Sequence, residues 1–274
     1  MERIKRNERL AILTKLLTAA PNQIHTLSHF CEMVGAAKST LSEDIDILRE
    51  VYERFGLGKL DTVTGAAGGV RYRPYMKRQD ARAFLNNLCA ELQSPNRLLP
   101  GGFLYLSDIL SMPDIVRQMG VIIAGEFYEA NPDFVLTMET KGIPVALMTA
   151  QSLGVPLVIA RRSSKVYEGS AVNINYVSGS SGHIETMSLS RRAVKEGQRA
   201  LIVDDFLKAG GTAKGMIDLM GEFNVEVVGT AFVMSKQQLS GKLIHDEKPL
   251  MVMDMCGTDE DTLSIHPADW LNDD

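Results

Sequence analysis

Residues 199–212 read RALIVDDFLKAGGT, and this stretch decides the fold. Ala200–Val203 is a short apolar run that predicts a fully buried strand. Two adjacent carboxylates, Asp204 and Asp205, follow at its expected end, then two large apolar residues, Phe206 and Leu207. Lys208, Ala209, Gly210, Gly211 and Thr212 form a loop, and Met216, Ile217, Leu219, Met220 and Phe223 then recur at helical spacing. A loop with paired glycines turns successive N–H groups toward one point, and the following helix N-terminus adds its dipole. That is an anion site suited to a phosphate, with Thr212 placed to cap the helix or to offer its hydroxyl. Carboxylates at a strand end lie where open α/β sheets bind ligands, and a carboxylate pair accepts hydrogen bonds from a vicinal diol. Phosphate beside diol implies ribose 5-phosphate.

The segment resembles the phosphoribosyl pyrophosphate motif of the type I phosphoribosyltransferases: apolar strand, Asp-Asp, two apolar residues, and a loop ending Gly-Gly-Thr. Those enzymes usually carry hydroxyl residues where this chain has Lys208 and Ala209. The change keeps the backbone donors and removes two hydroxyls. A response-regulator receiver also ends its first strand in an acidic pair. It then needs a phospho-acceptor strand and a lysine strand, and only 62 residues follow Thr212.

Other segments fit this frame. Phe134–Met138 predicts a strand and Ile143–Gly154 a helix, with Glu139, Thr140, Lys141 and Gly142 between them. The resemblance makes Thr140–Gly142 the pyrophosphate loop; read alone it is an ordinary βα loop. Pro156–Ala160 predicts a strand that runs into Arg161, Arg162, Ser163, Ser164 and Lys165. A similar basic stretch opens the flexible loop over the site in adenine- and xanthine-type transferases; a solvated basic turn is the alternative. Residues 171–177 and 184–189 alternate as a long hairpin, and Val225–Val233 is an almost unbroken apolar strand. Upstream, Ala83, Phe84, Leu85, Leu88, Cys89 and Leu92 predict an amphipathic helix, and residues 103–129 predict helical segments broken by Pro113 and Gly120. A strand is expected at Leu250–Met255. Strands alternating with helices imply an α/β domain with a central parallel sheet covered on both faces.

The front of the chain differs. Helices are expected over Arg3–Thr18, from a Thr26 cap through Val34, and over Lys38–Phe55, the last two joined by Gly35-Ala36-Ala37. Leu27, Phe30, Met33 and Val34 form the inward face of the second, and Leu41, Ile45, Leu48, Val51 and Tyr52 that of the third. This is a helix-turn-helix, whose second member reads DNA. Leu60–Val63 and Val70–Tyr72 add two strands around a glycine-rich tip, the outline of a winged helix. Lys38, Ser39, Thr40 and Ser42 are the expected contacts at the recognition-helix N-terminus, and Lys59, Arg71 and Arg73 those of the wing. Arg3, Lys5, Arg6 and Arg9 make a basic start, while Glu43, Asp44 and Asp46 restrict which face of the third helix lies on phosphates. His25 and His29 stand one helical turn apart, as solvated or capping residues or as a metal pair.

Composition agrees with this division. Residues 1–74 carry 11 Lys+Arg against 9 Asp+Glu, whereas residues 75–274 carry 18 against 25. A slightly basic front on an acidic body suits a polyanionic partner for the front. Cys31, Cys89 and Cys256 are far apart, so neither a disulfide framework nor a zinc cluster is indicated. The charged start lacks a signal-peptide pattern and no apolar run reaches spanning length, so a cytoplasmic protein without membrane contact is expected.

A winged helix over residues 1–74, followed by a phosphoribosyltransferase-like domain over 75–274, resembles the purine operon repressor family of Gram-positive bacteria. The resemblance implies a homodimeric, non-catalytic transcription factor that represses genes of purine synthesis and transport from an operator in duplex DNA. Its effector would be phosphoribosyl pyrophosphate, acting as inducer, with magnesium bridging ligand oxygens. Asp204 and Asp205 would take the ribose diol, Lys208–Thr212 the 5-phosphate, and Thr140–Gly142 the pyrophosphate, with Arg161 nearby. A guanosine polyphosphate is a second candidate for the same loops, and a purine salvage transferase with a DNA-binding appendage is the competing reading.

Overall fold

The computed structural model describes residues 4–65, 68–99, 103–163, 169–178, 182–236, 243–244, 246–255 and 263–272. Expectations on Arg3, the wing tip at 66–67, residues 164–168 with Lys165, and Cys256 lie outside these. The chain divides into two compact units, Met1–Lys77 with Gln151–Gly154, and Arg78–Ala150 with Val155–Asp274.

In the first unit, helices α1 (Arg6–Ala19), α2 (Leu27–Val34) and α3 (Lys38–Phe55) precede an antiparallel pair, β1 (Lys59–Val63) and β2 (Gly69–Arg73). Thr26 caps α2 by accepting from the His29 N–H at 3.2 Å, and Gly35 ends it in the left-handed region at φ 62°. Leu13, Leu17, Phe30, Val34, Leu41, Ile45, Leu48, Tyr52, Leu60 and Val70 form the core. Met33 departs from its expected inward place and is exposed, and Val51 is only half-buried. Two charged residues also depart from expectation. Asp44 is fully buried and Arg9 nearly so, joined by Nε to Oδ2 at 2.6 Å and Nη2 to Oδ1 at 3.2 Å. Arg6 adds an ion pair to Asp44 at 3.2 Å and one to Glu43 at 2.9 Å. Arg6 and Arg9 of the basic start are therefore spent on tying α1 to α3. Asp44 is no part of the outer acidic face.

The second unit is built on a six-stranded sheet in the order β12-β11-β10-β9-β5-β6. Its strands are β5 (Phe134–Met138), β6 (Leu157–Ala160), β9 (Arg199–Leu207), β10 (Glu226–Lys236), β11 (Lys248–Met255) and β12 (Leu263–Pro267). All neighbours are parallel except β11 and β12, so the expected central parallel sheet carries one antiparallel strand at its edge. Two further antiparallel pairs stand apart, β3 (Leu98–Leu99) with β4 (Phe103–Leu104), and the hairpin β7 (Ala171–Val177) with β8 (Ile184–Ser190). Helices α4 (Arg78–Leu92), α5 (Pro113–Phe127), α6 (Ile143–Leu153) and α7 (Gly211–Gly221) complete the unit. Tyr176, Met187 and Leu189 of the hairpin share one core with Met216, Leu219 and Met220 of α7 and with Phe134, Leu136 and Ile202 of the sheet.

Two expected breaks in α5 have other roles. Pro113 occupies the first turn, where its missing N–H costs nothing. Gly120 lies within the helix, and a β-carbon there would sit 2.6 Å from the Met148 backbone. It lets α5 approach α6 and does not interrupt it. In α4, Ala83 is exposed and Ala81 buried, while Leu85, Leu88, Cys89 and Leu92 face inward as expected. Among the described residues, no helix is long and apolar enough to cross a membrane.

The strand order reverses between β5 and β9, and this reversal positions the site. β9 pairs with β5 only from Phe134↔Ala200 to Leu136↔Ile202, but with β10 as far as Leu207↔Ser235. Beyond Ile202 the two strands part. Ligands of open α/β sheets bind in such a crevice. The acidic pair thus lies inside a strand that continues to Leu207, not at the end of a strand stopping at Val203.

Candidate functional site

Past Ile202 the gap between β5 and β9 is filled by the loop that follows Met138. Gly142 is buried there. A β-carbon on it would lie 1.9 Å from Asp204 Oδ1 and 2.6 Å from Thr137 Oγ1. Only glycine lets the backbone come this close, and Thr140 and Lys141 are thereby presented, exposed, at the mouth of the gap. The Glu139–Thr140 peptide is cis. On the other side, Gly210 takes φ +86° as the N-cap of α7, with no side chain capping the helix. Thr212 therefore does not cap, as one expectation had it. It stands in the first turn, near the Tyr176 hydroxyl.

The two loops and the acidic pair enclose one cavity of about 500 Å³. Of the candidate ligand residues, Thr140, Lys141 and Asp204–Thr212 all line it. Leu207 is also buried in a small core with Ala213, Phe232 and Ile244, which anchors the loop. Arg161 does not line the cavity; it pairs with Glu139 at 3.6 Å and bridges to Ser188 of β8. Its neighbour Arg162 takes that place. Sequence reasoning also missed Lys236, at the end of β10, and the apolar wall of Leu104, Leu106, Phe232 and Met253. No spacing pattern links these positions to the motif. Lys236, Phe232 and Met253 reach the site only because β10 lies beside β9 and β11 beside β10.

Burial raises the pKa of Asp204 well above the ordinary carboxylate value, with the Asp205 charge adding to the effect. The Asp205 backbone N–H, at 3.0 Å, and the Thr137 hydroxyl offset part of this. Burial also raises Asp205, against the hydrogen bond from Asp204 and the charge of Lys141. Four cations (Lys141, Arg162, Lys208 and Lys236) line the cavity beside Glu139, Asp204 and Asp205. Four cations against three carboxylates, two of which burial makes resist ionisation, favour a polyanion.

The pKa shift has a consequence for stability. Folded Asp204 holds its proton more tightly than unfolded Asp204, so the folded state binds more protons above the ordinary Asp value of 3.8. Stability is accordingly lost as pH rises from there through the folded pKa. Asp204→Asn should match the wild type in thermal stability near pH 4 and exceed it as pH rises through the folded pKa of Asp204. Each kcal/mol of relief corresponds to about 2–4 °C in a domain of this size. Thermal melts of the ligand-free protein across that range check the sign.

In the first unit, Lys38, Ser39 and Ser42 are exposed and Thr40 is half-buried at the start of α3, whose Ala37 N-cap gives no side-chain hydrogen bond. That end of the helix can meet a phosphate. The wing cations are engaged. Lys59 Nζ sits 3.9 Å from the centre of the Tyr75 ring, and Arg71 and Arg73 both reach Asp61 Oδ2, at 3.6 and 3.2 Å. His25 and His29 stack at 6.4 Å, with the His25 pKa lowered first by burial and then by His29. Among the described residues no group of three metal-ligating side chains forms.

Residues 5–74 match the profile of the bacterial purine repressor N-terminal domain, and residues 106–256 that of the phosphoribosyl transferase domain. The purine biosynthesis transcriptional repressor PurR of Bacillus subtilis is 43% identical over 98% of this chain and 94% of its own. The chain belongs to the purine repressor family. A second relative in this family, the purine biosynthesis transcriptional activator PurR of Lactococcus lactis, is 40% identical over 98% of this chain and all of its own. Adenine phosphoribosyltransferase of Thermoanaerobacter pseudethanolicus superposes with a TM-score of 0.52 at 21% identity, over 61% of this chain and 98% of the enzyme. That likeness shows the fold of the second unit.

Proposed function

We propose that this chain is a transcription regulator of purine biosynthesis, a repressor whose second unit binds phosphoribosyl pyrophosphate as inducer. The carrying observation is the convergence of the α7 N-terminus, the Asp204–Asp205 pair and Thr140–Lys141 on one cavity lined by four cations. The 5-phosphate takes the N–H groups of Lys208–Thr212, the ribose diol the acidic pair, and the pyrophosphate Thr140, Lys141 and Gly142. A magnesium ion would draw most of its oxygens from the diphosphate, the ribose and water, because two carboxylates cannot fill its shell. A guanosine polyphosphate, which also carries a diphosphate, is expected to compete for these loops. The family membership and the relatives' names support the regulatory reading.

DNA binding is assigned to residues 1–74, through Lys38–Ser42 and the wing, and effector binding to 75–274. For Lys59, Arg71 and Arg73 to reach phosphates, Tyr75 and Asp61 must give them up. The protein acts as a cytoplasmic homodimer on an operator in duplex DNA. No transfer to a purine base is expected, because Lys208 and Ala209 supply no hydroxyls to the ligand loop. Pyrophosphate release from phosphoribosyl pyrophosphate and any purine, abolished by Asp205→Ala, would make it a transferase instead.

Effector and operator should oppose each other. A ligand shifts DNA affinity only by binding the free and DNA-bound states differently, and linkage makes the effect reciprocal. Saturating phosphoribosyl pyrophosphate with magnesium should weaken operator binding by roughly 5–150-fold. Operator titrations with and without it test this; equal affinities would remove the inducible-repressor reading.

A further inference from the structure

The hairpin β7–β8, packed on α7 and bridged at Ser188 to Arg161, also reaches the cavity wall through one carboxylate. Arg162 lines the cavity, yet its guanidinium is held by Glu185 of β8. The Tyr176 hydroxyl of β7 donates to the same Glu185 oxygen at 3.0 Å. Tyr176 is further pinned against α7, where a β-carbon on Gly215 would lie 3.0 Å from its ring. The Arg162 backbone N–H is bound by Glu139 Oε1 at 2.7 Å, so this residue stays at the cavity wall even if its side chain lets go.

A carboxylate that occupies a cavity-lining guanidinium is an internal rival of any anionic ligand. The geometry points to Glu185 as a built-in competitor for the ligand's phosphates: a latch that holds Arg162 and the β7–β8 hairpin together until a diphosphate takes Arg162 away. The inference rests on the phosphate-binding reading of the cavity. It adds a residue that sets effector affinity without touching the effector, and a hairpin whose attachment reports occupancy. Arg162 is 60% exposed and Glu185 24% exposed, so the pair sits in partly screened surroundings and the competition is modest.

Calorimetric titration of the full chain with phosphoribosyl pyrophosphate and, separately, inorganic pyrophosphate, each with magnesium, tests the latch. Glu185→Gln should tighten both by about two- to five-fold, the scale of an exposed ion pair. In an Arg162→Ala background the same substitution should change nothing, since its partner is gone. Amide exchange at Tyr176 and Val177 in the ligand-free protein should rise in Glu185→Gln by a similar factor. Unchanged or weaker binding in Glu185→Gln overturns the latch, as does tightening that persists without Arg162. If neither probe binds the wild type, the cavity reading fails. The exchange rates then still decide the latch, and equal rates would overturn it.

Discussion

Replacing Asp204 and Asp205 together by alanine is expected to weaken phosphoribosyl pyrophosphate binding by about 10²–10⁴-fold, two charge-assisted hydrogen bonds at roughly 1.5–3 kcal/mol each. Loss of fold is not the expected route. Both carboxylates are raised in pKa by burial, so each resists ionisation in the ligand-free protein and neither is a stabilising charge there. Asp204→Asn with raised thermal stability and reduced affinity would separate the two effects. Calorimetry showing wild-type affinity in the double variant would take the diol away from this pair. The ligand's hydroxyls and bridging cation would offset the burial of charge that the empty site tolerates poorly.

Arg9→Ala carries the largest expected effect on stability. Among the described residues, it leaves the fully buried Asp44 with the half-exposed Arg6 as its ion-pair partner at 3.2 Å. Breaking a buried pair by removing one member costs about 3–5 kcal/mol, and the remaining Arg6 places this case near the lower figure. In a unit of this size each kcal/mol lowers the melting temperature by about 4–8 °C. Operator binding should fail as the helices separate, while effector binding persists. Replacing the pair by Met and Leu at positions 9 and 44 should recover most of the loss, because a buried ion pair rarely exceeds a packed apolar pair. A melting temperature unchanged in Arg9→Ala would show that Arg9 is free for DNA, as its place in the basic start suggests.

How much was legible follows the range of each interaction. The helix-turn-helix could be read because its signals are local: the Thr26 cap, Gly35 and the helical spacing from Leu41 to Tyr52. The ligand loops could be read because each is a contiguous run on a strand–loop–helix unit. What escaped depended on distant partners. Arg9 reads as a surface cation until Asp44 is folded against it across 35 residues. Arg161 and Arg162 are alike in sequence, and only the pairing of Arg161 with Ser188 turns one away from the cavity and the other along its wall. β12 was missed for a similar reason. Leu263–Pro267 is a polar-interrupted edge strand whose register with β11 supplies what its own sequence lacks. β9 was predicted too short because carboxylates ordinarily end a buried run; here β10 continues beside it to Leu207 and gives its backbone a partner.

The two rims of the large sheet bear on how copies of this chain can meet. An open strand edge is a template on which a second molecule can add its own strand. At one rim β6 is only four residues long, and the chain leaving it is fastened to β8 by the Arg161–Ser188 bridge, with N–H to oxygen distances of 2.9 and 2.7 Å. At the other rim β12 closes with Pro267, and Gln93 at the end of α4 reaches across to accept from the Ile265 N–H at 3.2 Å. Proline has no N–H to offer a neighbour, and an occupied N–H is closed to one. Fusion of two sheets into one is thereby disfavoured at both rims. Self-association is left to side-chain surfaces, which can be parted and rejoined without rebuilding backbone ladders.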